Sequence, residues 1–308
     1  MAAERRFRAM GTDAHVVVHG DPLLAELAEA EIARLEQLWS RFRADSEVSA
    51  VNASAGRWVG VSPETVELFD RAVLAHVVTG GRYDPTVLGA VVRAGYDRTF
   101  DEVVRLERSA DPFSSLRRGA GDIEIDHAAS AVRLPEGVGF DPGGIGKGLA
   151  ADLVAARIDA EGAAGALVNL GGDLRAIGYG PDGDDWTVDL DPAATGHAHA
   201  RVVLDHGAVA TSTTLRRRWT IAGAERHHVI DPAAGTSAAS DVVAASVIAA
   251  RGWQAEVLAK AAIVAGLADG ARLIASIGAH ALLVDTHGGL HPTDGFERFV
   301  TTPREVPS

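Results

Sequence analysis

The spacing of apolar residues predicts five helices. Leucines and other apolar residues recur every three or four positions from about 23 to 43, as in an amphipathic helix. Ser62-Pro63 can cap and begin a second helix, which Gly80-Gly81 would end. Further helices are predicted over about 148–160, 252–266 and 269–277.

Short apolar or alternating runs predict strands around these helices. A first strand lies at 15–19, and 123–126 forms a hairpin with 131–134. Further strands are predicted at 166–170, 186–190, 201–205, 207–212, 215–221 and 227–231, with a closing hairpin around Gly288-Gly289. Because helices and strands follow no regular βαβ rhythm, the sequence favours an α+β fold.

The sequence also predicts the domain organisation of the chain. We see no clear linker, and we expect a single domain over 1–300. The charged, irregular segment 105–120 is predicted to be a surface excursion, and 301–308 a flexible tail.

Composition narrows the class of protein. The chain has 308 residues, 47% of them hydrophobic, which is enough for a large core. Its net charge of −13 argues against nucleic acid or an anionic membrane as the main partner. It contains no cysteine, its first residues lack the apolar core of a signal peptide, and no apolar run approaches the roughly 20 residues of a membrane helix. These features predict a soluble cytoplasmic protein without membrane insertion.

A glycine-rich loop at 140–148 is the first candidate site. The run Phe-Asp-Pro-Gly-Gly-Ile-Gly-Lys-Gly stands where a strand would turn into a helix, and such a helix start can bind an anion. It is not a P-loop, because Asp141 and Gly148 stand where that motif needs glycine and a hydroxyl residue. It also fails the dinucleotide fingerprint, because the third glycine comes too early.

Five shorter clusters carry candidate chemistry, each with a purely structural alternative. They are Met10-Gly11-Thr12, Tyr83-Asp84-Pro85-Thr86, Asn169-Leu170-Gly171-Gly172-Asp173, Thr211-Ser212-Thr213-Thr214 before Arg216-Arg217-Arg218, and His227-His228-Val229-Ile230-Asp231. Hydroxyls followed by guanidinium groups suit a pyrophosphate, and a histidine beside an aspartate can be a general base. The structural alternatives are a strand entry, a capped helix start, a tight turn, the outer face of a strand and a structural histidine.

Taken in order, the clusters and the loop resemble the ApbE family of FAD:protein FMN transferases. The family signature runs M-G-T, D-P-T, D-x-G-G-I-x-K-G, N-x-G-G-D, A-T-S and H-x-I-D-P-x-x-G, and this chain matches each element collinearly over about 7–290. The resemblance implies a mixed fold with antiparallel-rich sheets and packed helices. It also implies that the protein takes FAD as substrate and attaches FMN to a threonine or serine of an acceptor protein, releasing AMP.

The resemblance also implies roles for individual residues. Met10, Gly11 and Thr12 would lie along the flavin, and His228 would deprotonate the acceptor hydroxyl. The cofactor-binding set would further comprise Asp84, Thr86, Gly144, Lys147, Gly171, Gly172, Asp173, Ser212 and Asp231. Phosphoryl transfer asks mainly for positioning and charge neutralisation, which such a set can provide.

One departure from the family concerns magnesium. The family holds this ion with the aspartate and threonine of an A-D-x-x-x-T helix and a carbonyl of the glycine loop. Here the carbonyl would belong to Gly146, and Glu256 and Lys260 stand at the two side-chain positions. Glutamate can bind magnesium, but an ammonium group has only donors and repels a cation.

Three interpretations of this departure stay open. Lys260 replaces the metal and is itself catalytic, or the chain binds FAD without efficient transfer, as a flavin carrier or sensor. In the third, Glu256 and Lys260 form a surface ion pair. A different class of enzyme is suggested by His197 and His199, whose spacing is compatible with a metallohydrolase. The sequence offers no third metal ligand at a suitable spacing from them.

Overall fold

The computed structural model describes residues 2–96, 119–180, 183–193, 195–221 and 223–301. The predicted excursion at 105–120 therefore lies almost wholly outside the described residues, as does the predicted tail beyond Thr301. The helices are α1 Leu23–Trp39, α2 Glu47–Asn52, α3 Pro63–Val78, α4 Leu88–Arg93, α5 Gly146–Ala160, α6 Gly252–Ala265 and α7 Leu267–Ser276. No helix in these ranges is long and apolar enough to cross a lipid bilayer.

The strands form one large sheet and several small ones. They are β1 Ala2–Ala9, β2 Thr12–His19, β3 Val59–Gly60, β4 Glu124–Asp126, β5 Ala131–Arg133, β6 Gly165–Leu170, β7 Asp173–Gly178, β8 Trp186–Leu190, β9 Ala200–Leu204, β10 Gly207–Thr213, β11 Arg218–Ile221, β12 Ala224–His227, β13 Ile230–Asp231, β14 Thr236–Ser237, β15 Val242–Ala249, β16 His280–Asp285 and β17 Leu290–Pro292. The large sheet has the order β1-β2-β6-β7-β10-β15-β16-β17. All its neighbouring strands are antiparallel, and the α+β prediction is confirmed.

The inner strands of the large sheet are covered on both faces. Along β6, Val168 and Leu170 belong to the hydrophobic cluster of α1, α3 and α5, whereas Leu167 belongs to that of the β8–β9 hairpin. Side chains alternate between the faces of a strand, so a strand covered on both sides is apolar at nearly every position. Helices α6 and α7 cover β10, β15 and β16 with a further cluster.

Three sequence-based boundaries were wrong. Helix α1 ends at Trp39, four residues before the predicted end, because Ser40 turns to an extended conformation and the Trp39 indole donates to the Thr65 hydroxyl at 3.1 Å. The strand predicted at 215–221 begins only at Arg218. The strand predicted at 227–231 is interrupted at His228 and Val229, which lie between β12 and β13.

Helices α5 and α6 cross at Gly148 and Gly252. A carboxylate of each helix binds the first turn of the other. Asp152 of α5 accepts hydrogen bonds from the Gly252 and Trp253 amides, at 2.8 and 3.1 Å. Glu256 of α6 accepts one from the Gly148 amide at 2.8 Å. The first amides of a helix lack partners within it, so a carboxylate at that end stabilises it. These two contacts fix the first turns of both helices against each other.

We expect Gly148→Ala to lower the free energy of unfolding by about 1–3 kcal/mol, the usual cost of forcing extra volume into a packed core. A Cβ atom at Gly148 would lie 2.3 Å from the Gly252 carbonyl oxygen, and this neighbour is backbone. Urea-induced unfolding measures the change. The control is Gly121→Ala, whose added Cβ meets nothing within 4 Å. Equal stability of the two variants would contradict the close crossing.

Candidate functional site

Two adjoining cavities lie where the glycine-rich loop meets the ends of the sheet strands. The aromatic cavity, about 430 Å³, is lined by Trp39, Phe42, Tyr83 and Tyr96 among others. The strand-end cavity, about 690 Å³, is lined by Asn169, Gly171, Gly172, Asp173 and Ser212 among others. The residues that line both cavities are Gly11, Gly143, Lys147, Arg217, His228 and Lys260. Four of these six carry an ammonium, a guanidinium or an imidazole.

Pairing in the sheet explains why distant motifs meet here. Leu170 of β6 pairs with Asp173 of β7, and Asp173 pairs in turn with Ala210 of β10. Leu170 also pairs with Ala14 of β2, near the β1–β2 turn. Three motifs far apart in the sequence therefore share one end of the sheet.

The β1–β2 turn places Met10 and Gly11 at the cavities through an unusual backbone conformation. Both residues have positive φ, 50° and 68°, in a two-residue hairpin loop closed by the Ala9–Thr12 pair. Such loops favour asparagine and glycine, and a methionine held there is strained. Thr12 contacts the next motif closely, because a Cβ at Gly171 would lie 2.1 Å from the Thr12 hydroxyl oxygen. Only glycine fits at 171.

Four charged side chains, Lys147, Asp173, Glu256 and Lys260, form a compact group that we call the charge cluster. Lys147 Nζ lies 2.5 Å from Asp173 Oδ2 and 2.7 Å from Glu256 Oε1. Lys260 Nζ donates to the same Glu256 Oε1 at 3.0 Å. The other oxygen of Glu256 accepts the Gly148 amide. One buried carboxylate thus holds two ammonium groups and a helix start.

Burial and mutual attraction set the protonation states in the charge cluster. Burial alone would raise the pKa of Glu256, but Lys147 and Lys260 outweigh it and lower the pKa to about 2. Burial would lower the pKa of Lys147, but Asp173 and Glu256 raise it above its ordinary value. The pKa of Asp173 is raised, chiefly by burial and with a contribution from Glu256. Glu256 and Lys147 are therefore charged at neutral pH.

His228 is a neutral imidazole at the junction of the two cavities, the wall that they share. Burial lowers its pKa well below the ordinary value, and the nearby cations Arg217 and Lys260 lower it further. Within the described residues its Nδ1 atom is buried without a hydrogen-bond partner. Asp231 forms no hydrogen bond with this nitrogen, and its Oδ1 accepts the Ala233 amide at 2.7 Å. The idea of a base held by Asp231 is wrong in this geometry.

The Tyr83–Thr86 motif builds the wall of the aromatic cavity. Asp84 Oδ1 accepts hydrogen bonds from the Thr86 amide and hydroxyl, at 2.8 and 2.5 Å, and the Thr86 hydroxyl accepts the Gly119 amide. Asp84 lines the cavity, whereas Thr86 lines neither cavity. A Cβ at Gly144 would lie 2.6 Å from the Tyr83 ring, so this glycine lets the loop approach the tyrosine.

The predicted site residues mostly converge. Thirteen of the sixteen line one or both cavities: Met10, Gly11, Thr12, Asp84, Gly144, Gly146, Lys147, Gly171, Gly172, Asp173, Ser212, His228 and Lys260. The other three, Thr86, Asp231 and Glu256, line neither cavity. The roles suggested for all sixteen stay predictions.

Sequence reasoning missed Arg41. Its guanidinium lies over the Phe42 and Tyr96 rings, donates to the Tyr96 carbonyl at 2.8 Å and approaches Asp141 Oδ1 at 3.4 Å. The predicted helix to residue 43 concealed it, because only the early end of α1 brings Arg41 to the cavity. Arg217, one of three consecutive arginines in the sequence, lines both cavities, whereas Arg218 pairs with Glu225 in the β11–β12 hairpin.

The residues at the predicted metal position do not fit a magnesium ion. Magnesium needs oxygen ligands at about 2.0–2.1 Å in near-ideal octahedral geometry. Glu256 Oε1 already accepts from two ammonium groups, and Oε2 accepts a backbone amide. A divalent cation on this carboxylate would stand against Lys147 and Lys260, whose charges repel it.

The structure does not support the surface ion pair or the metallohydrolase. Glu256 is fully buried, so Glu256 and Lys260 are not a surface ion pair. His199 approaches Asp191 Oδ1 at 3.4 Å, beside an exposed turn that contains His197. Among the described residues, no three His, Cys, Asp or Glu side chains are arranged to hold a metal ion.

Fold and site together define an α+β protein with two adjoining cavities, whose shared wall contains two lysines, an arginine and a neutral imidazole. The chain belongs to the ApbE family, whose family model matches residues 10–283.

Named relatives and solved structures agree with this assignment. An FAD:protein FMN transferase of Treponema pallidum (strain Nichols) is 32% identical over 248 residues, covering 75% of this chain and 68% of the relative. One of Vibrio cholerae is 26% identical, covering 83% and 79%. The crystal structure of the ApbE protein from Thermotoga maritima superposes with a TM-score of 0.86 at 28% identity, covering 98% and 100%. That of the Pseudomonas stutzeri flavinyl transferase ApbE has a TM-score of 0.83 at 25% identity, covering 97% and 96%.

Proposed function

We propose that this protein is an FAD:protein FMN transferase. It takes FAD as substrate and joins the FMN phosphate, through a phosphoester, to a threonine or serine hydroxyl of an acceptor protein. AMP is the second product. Family membership and relatives that carry this name support the proposal.

The main structural support for this proposal is the cationic wall that the two cavities share. FAD has an aromatic ring system at each end and a pyrophosphate between them. A ligand of this shape matches two cavities that share a wall containing Lys147, Lys260 and Arg217. Ammonium and guanidinium groups are the side chains that bind phosphate oxygens most strongly.

The chemical step needs a base, a charged cradle and an in-line acceptor. His228 takes the proton of the acceptor hydroxyl as its oxygen forms a bond to the phosphorus of the FMN half. The bond from this phosphorus to the bridging oxygen breaks, and its electron pair leaves with AMP. The lowered pKa of His228 keeps the imidazole neutral, so that it can accept this proton. Positioning and stabilisation of phosphate charge supply most of the rate enhancement in such reactions.

The test is incubation of the purified protein with FAD and a panel of threonine-bearing acceptor peptides and proteins, followed by mass spectrometry. We expect an acceptor whose mass rises by one FMN, together with stoichiometric AMP. Replacing the acceptor hydroxyl residue by alanine must abolish the mass increase. Tight FAD binding with no AMP release and no adduct under any metal condition would favour a flavin carrier or sensor instead.

A further inference from the structure

Lysine use in this chain is confined to the charge cluster. The sequence contains 29 basic residues, and only Lys147 and Lys260 among them are lysines. The other 27 (29 − 2) are arginines. Both lysines bind the same oxygen of Glu256, although 113 positions (260 − 147) separate them.

Lysine differs from arginine in a way that suits this position. An ammonium is a compact point charge with three donors, whereas a guanidinium is a planar fork that needs more room. Two ammonium groups fit on one carboxylate oxygen, at 2.7 and 3.0 Å. The Lys260 stem also runs close to the glycine loop, since its Cδ lies 3.4 Å from where a Cβ at Gly144 would be.

The ammonium groups of the charge cluster are more exposed to the cavities than its carboxylates. The side chains of Lys147 and Lys260 are 17% and 16% exposed, whereas those of Asp173 and Glu256 are 4% and 0% exposed. Glu256 lines neither cavity, and Lys260 lines both. A ligand at the junction therefore meets the ammonium groups and not the carboxylate behind them.

We propose that the Lys260 ammonium is the built-in cation of this site, so that FMN transfer by this chain needs no divalent metal. The proposal rests on the transferase function given above. Lys260 contacts the pyrophosphate and stabilises the negative charge that grows on the departing AMP phosphate as the bridging bond breaks. It takes no part in the proton transfer, because the acceptor proton goes to His228. Glu256 is a positioning residue that holds the ammonium at the junction.

The first test compares metal conditions in the wild-type protein. We expect the same initial rate of FMN transfer in excess EDTA and in millimolar magnesium. A rate that vanishes in EDTA and returns with magnesium would overturn the inference while leaving the transferase function intact. Absence of transfer in every condition would instead overturn the transferase function, so the two failures are distinguishable.

Three variants test the role of Lys260 directly. Lys260→Met removes the charge at similar length, and we expect a rate about 10²–10³-fold lower, the usual loss when one preorganised donor at a developing charge is removed. Lys260→Thr offers a hydroxyl oxygen beside Glu256, and we expect its activity to be low in EDTA and to rise with magnesium. Arg272→Met, an exposed cation of α7, is the matched control and should keep the wild-type rate in both conditions. An unchanged rate in Lys260→Met, or no magnesium response in Lys260→Thr, would contradict the inference.

A second readout is independent of turnover and is made on the wild-type protein. Because the chain has two lysines, protein labelled with ¹³C at lysine Cε gives two side-chain NMR signals, and Lys260→Arg assigns them. We expect both signals to shift when FAD is added and neither to shift when magnesium is added alone. A Lys260 signal that ignores FAD, or that follows magnesium, would overturn the assignment.

Discussion

Replacing His228 with asparagine is expected to lower the rate of FMN transfer by about 10²–10⁴-fold, the range that general-base catalysis typically contributes. Asparagine has similar size and keeps a polar group at the junction, but it cannot accept a proton at neutral pH. Because the charge cluster is untouched and asparagine is no larger than histidine, FAD should bind with nearly unchanged affinity. Flavin fluorescence titration measures binding, and mass spectrometry of the acceptor measures transfer.

The pH dependence of the transfer rate in the wild-type enzyme also tests the role of the His228 imidazole. A histidine of ordinary pKa, near 6.5, would lose its basic form as the pH falls through 7 to 6. Burial, Arg217, Lys260, His227 and Lys147 all lower the pKa of His228, so its imidazole stays neutral through that range. We expect the transfer rate to stay level as the pH falls from about 8 to 6 and to decline only at lower pH.

His227→Asn is the matched control for His228. His227 is the preceding residue, and its Nε2 contacts the Ala238 carbonyl at 3.1 Å, but it lines neither cavity. Its replacement should cost about 0.5–1.5 kcal/mol of stability, the usual contribution of one hydrogen bond, with little change in transfer rate. Equal loss of transfer in both variants would show that the hairpin, and not the His228 imidazole, governs activity.

The sequence predicts motifs and amphipathic helices well because these depend on local chemistry. Helix α6 begins at Gly252, as its apolar spacing indicates, and the glycine loop enters α5 as its composition suggests. Strand β15, in contrast, was missed. It has apolar or small residues at every position and packs on both faces, so it lacks the alternation that marks a half-buried strand.

The arrangement inside the site depends on contacts that no local pattern reveals. Glu256 and Lys260 have the spacing of a surface ion pair on a helix, and their sequence alone leaves that interpretation open. What buries the pair is the crossing of α5 and α6, which brings Lys147 and the Gly148 amide to Glu256 from more than 100 residues away. Likewise, the short spacing from His228 to Asp231 suggested a bonded pair, but the turn between them directs Asp231 to its own loop.

Glu256→Gln is expected to be the most destabilising single substitution that we propose, lowering the free energy of unfolding by about 3–5 kcal/mol, as when one partner of a buried ion pair is removed. An amide would remove the negative charge that Lys147 and Lys260 share and would set its own NH₂ against a donor. The lowered pKa of Glu256 gives a consistent figure. A fall from 4.5 to about 2 corresponds to about 3 kcal/mol of stability at neutral pH.

The sign of this pH dependence provides the sharper test of Glu256. A carboxylate with a lowered folded-state pKa stabilises the protein above its unfolded value of 4.5, and this stability is lost as the pH falls toward 2. The difference in unfolding free energy between wild type and Glu256→Gln should therefore be largest near neutral pH and shrink through that window. Glu161→Gln, which breaks the exposed pair with Arg157, should change stability by at most about 0.5 kcal/mol. If Glu256→Gln is as stable as this control at neutral pH, the buried carboxylate does not hold the two lysines in place.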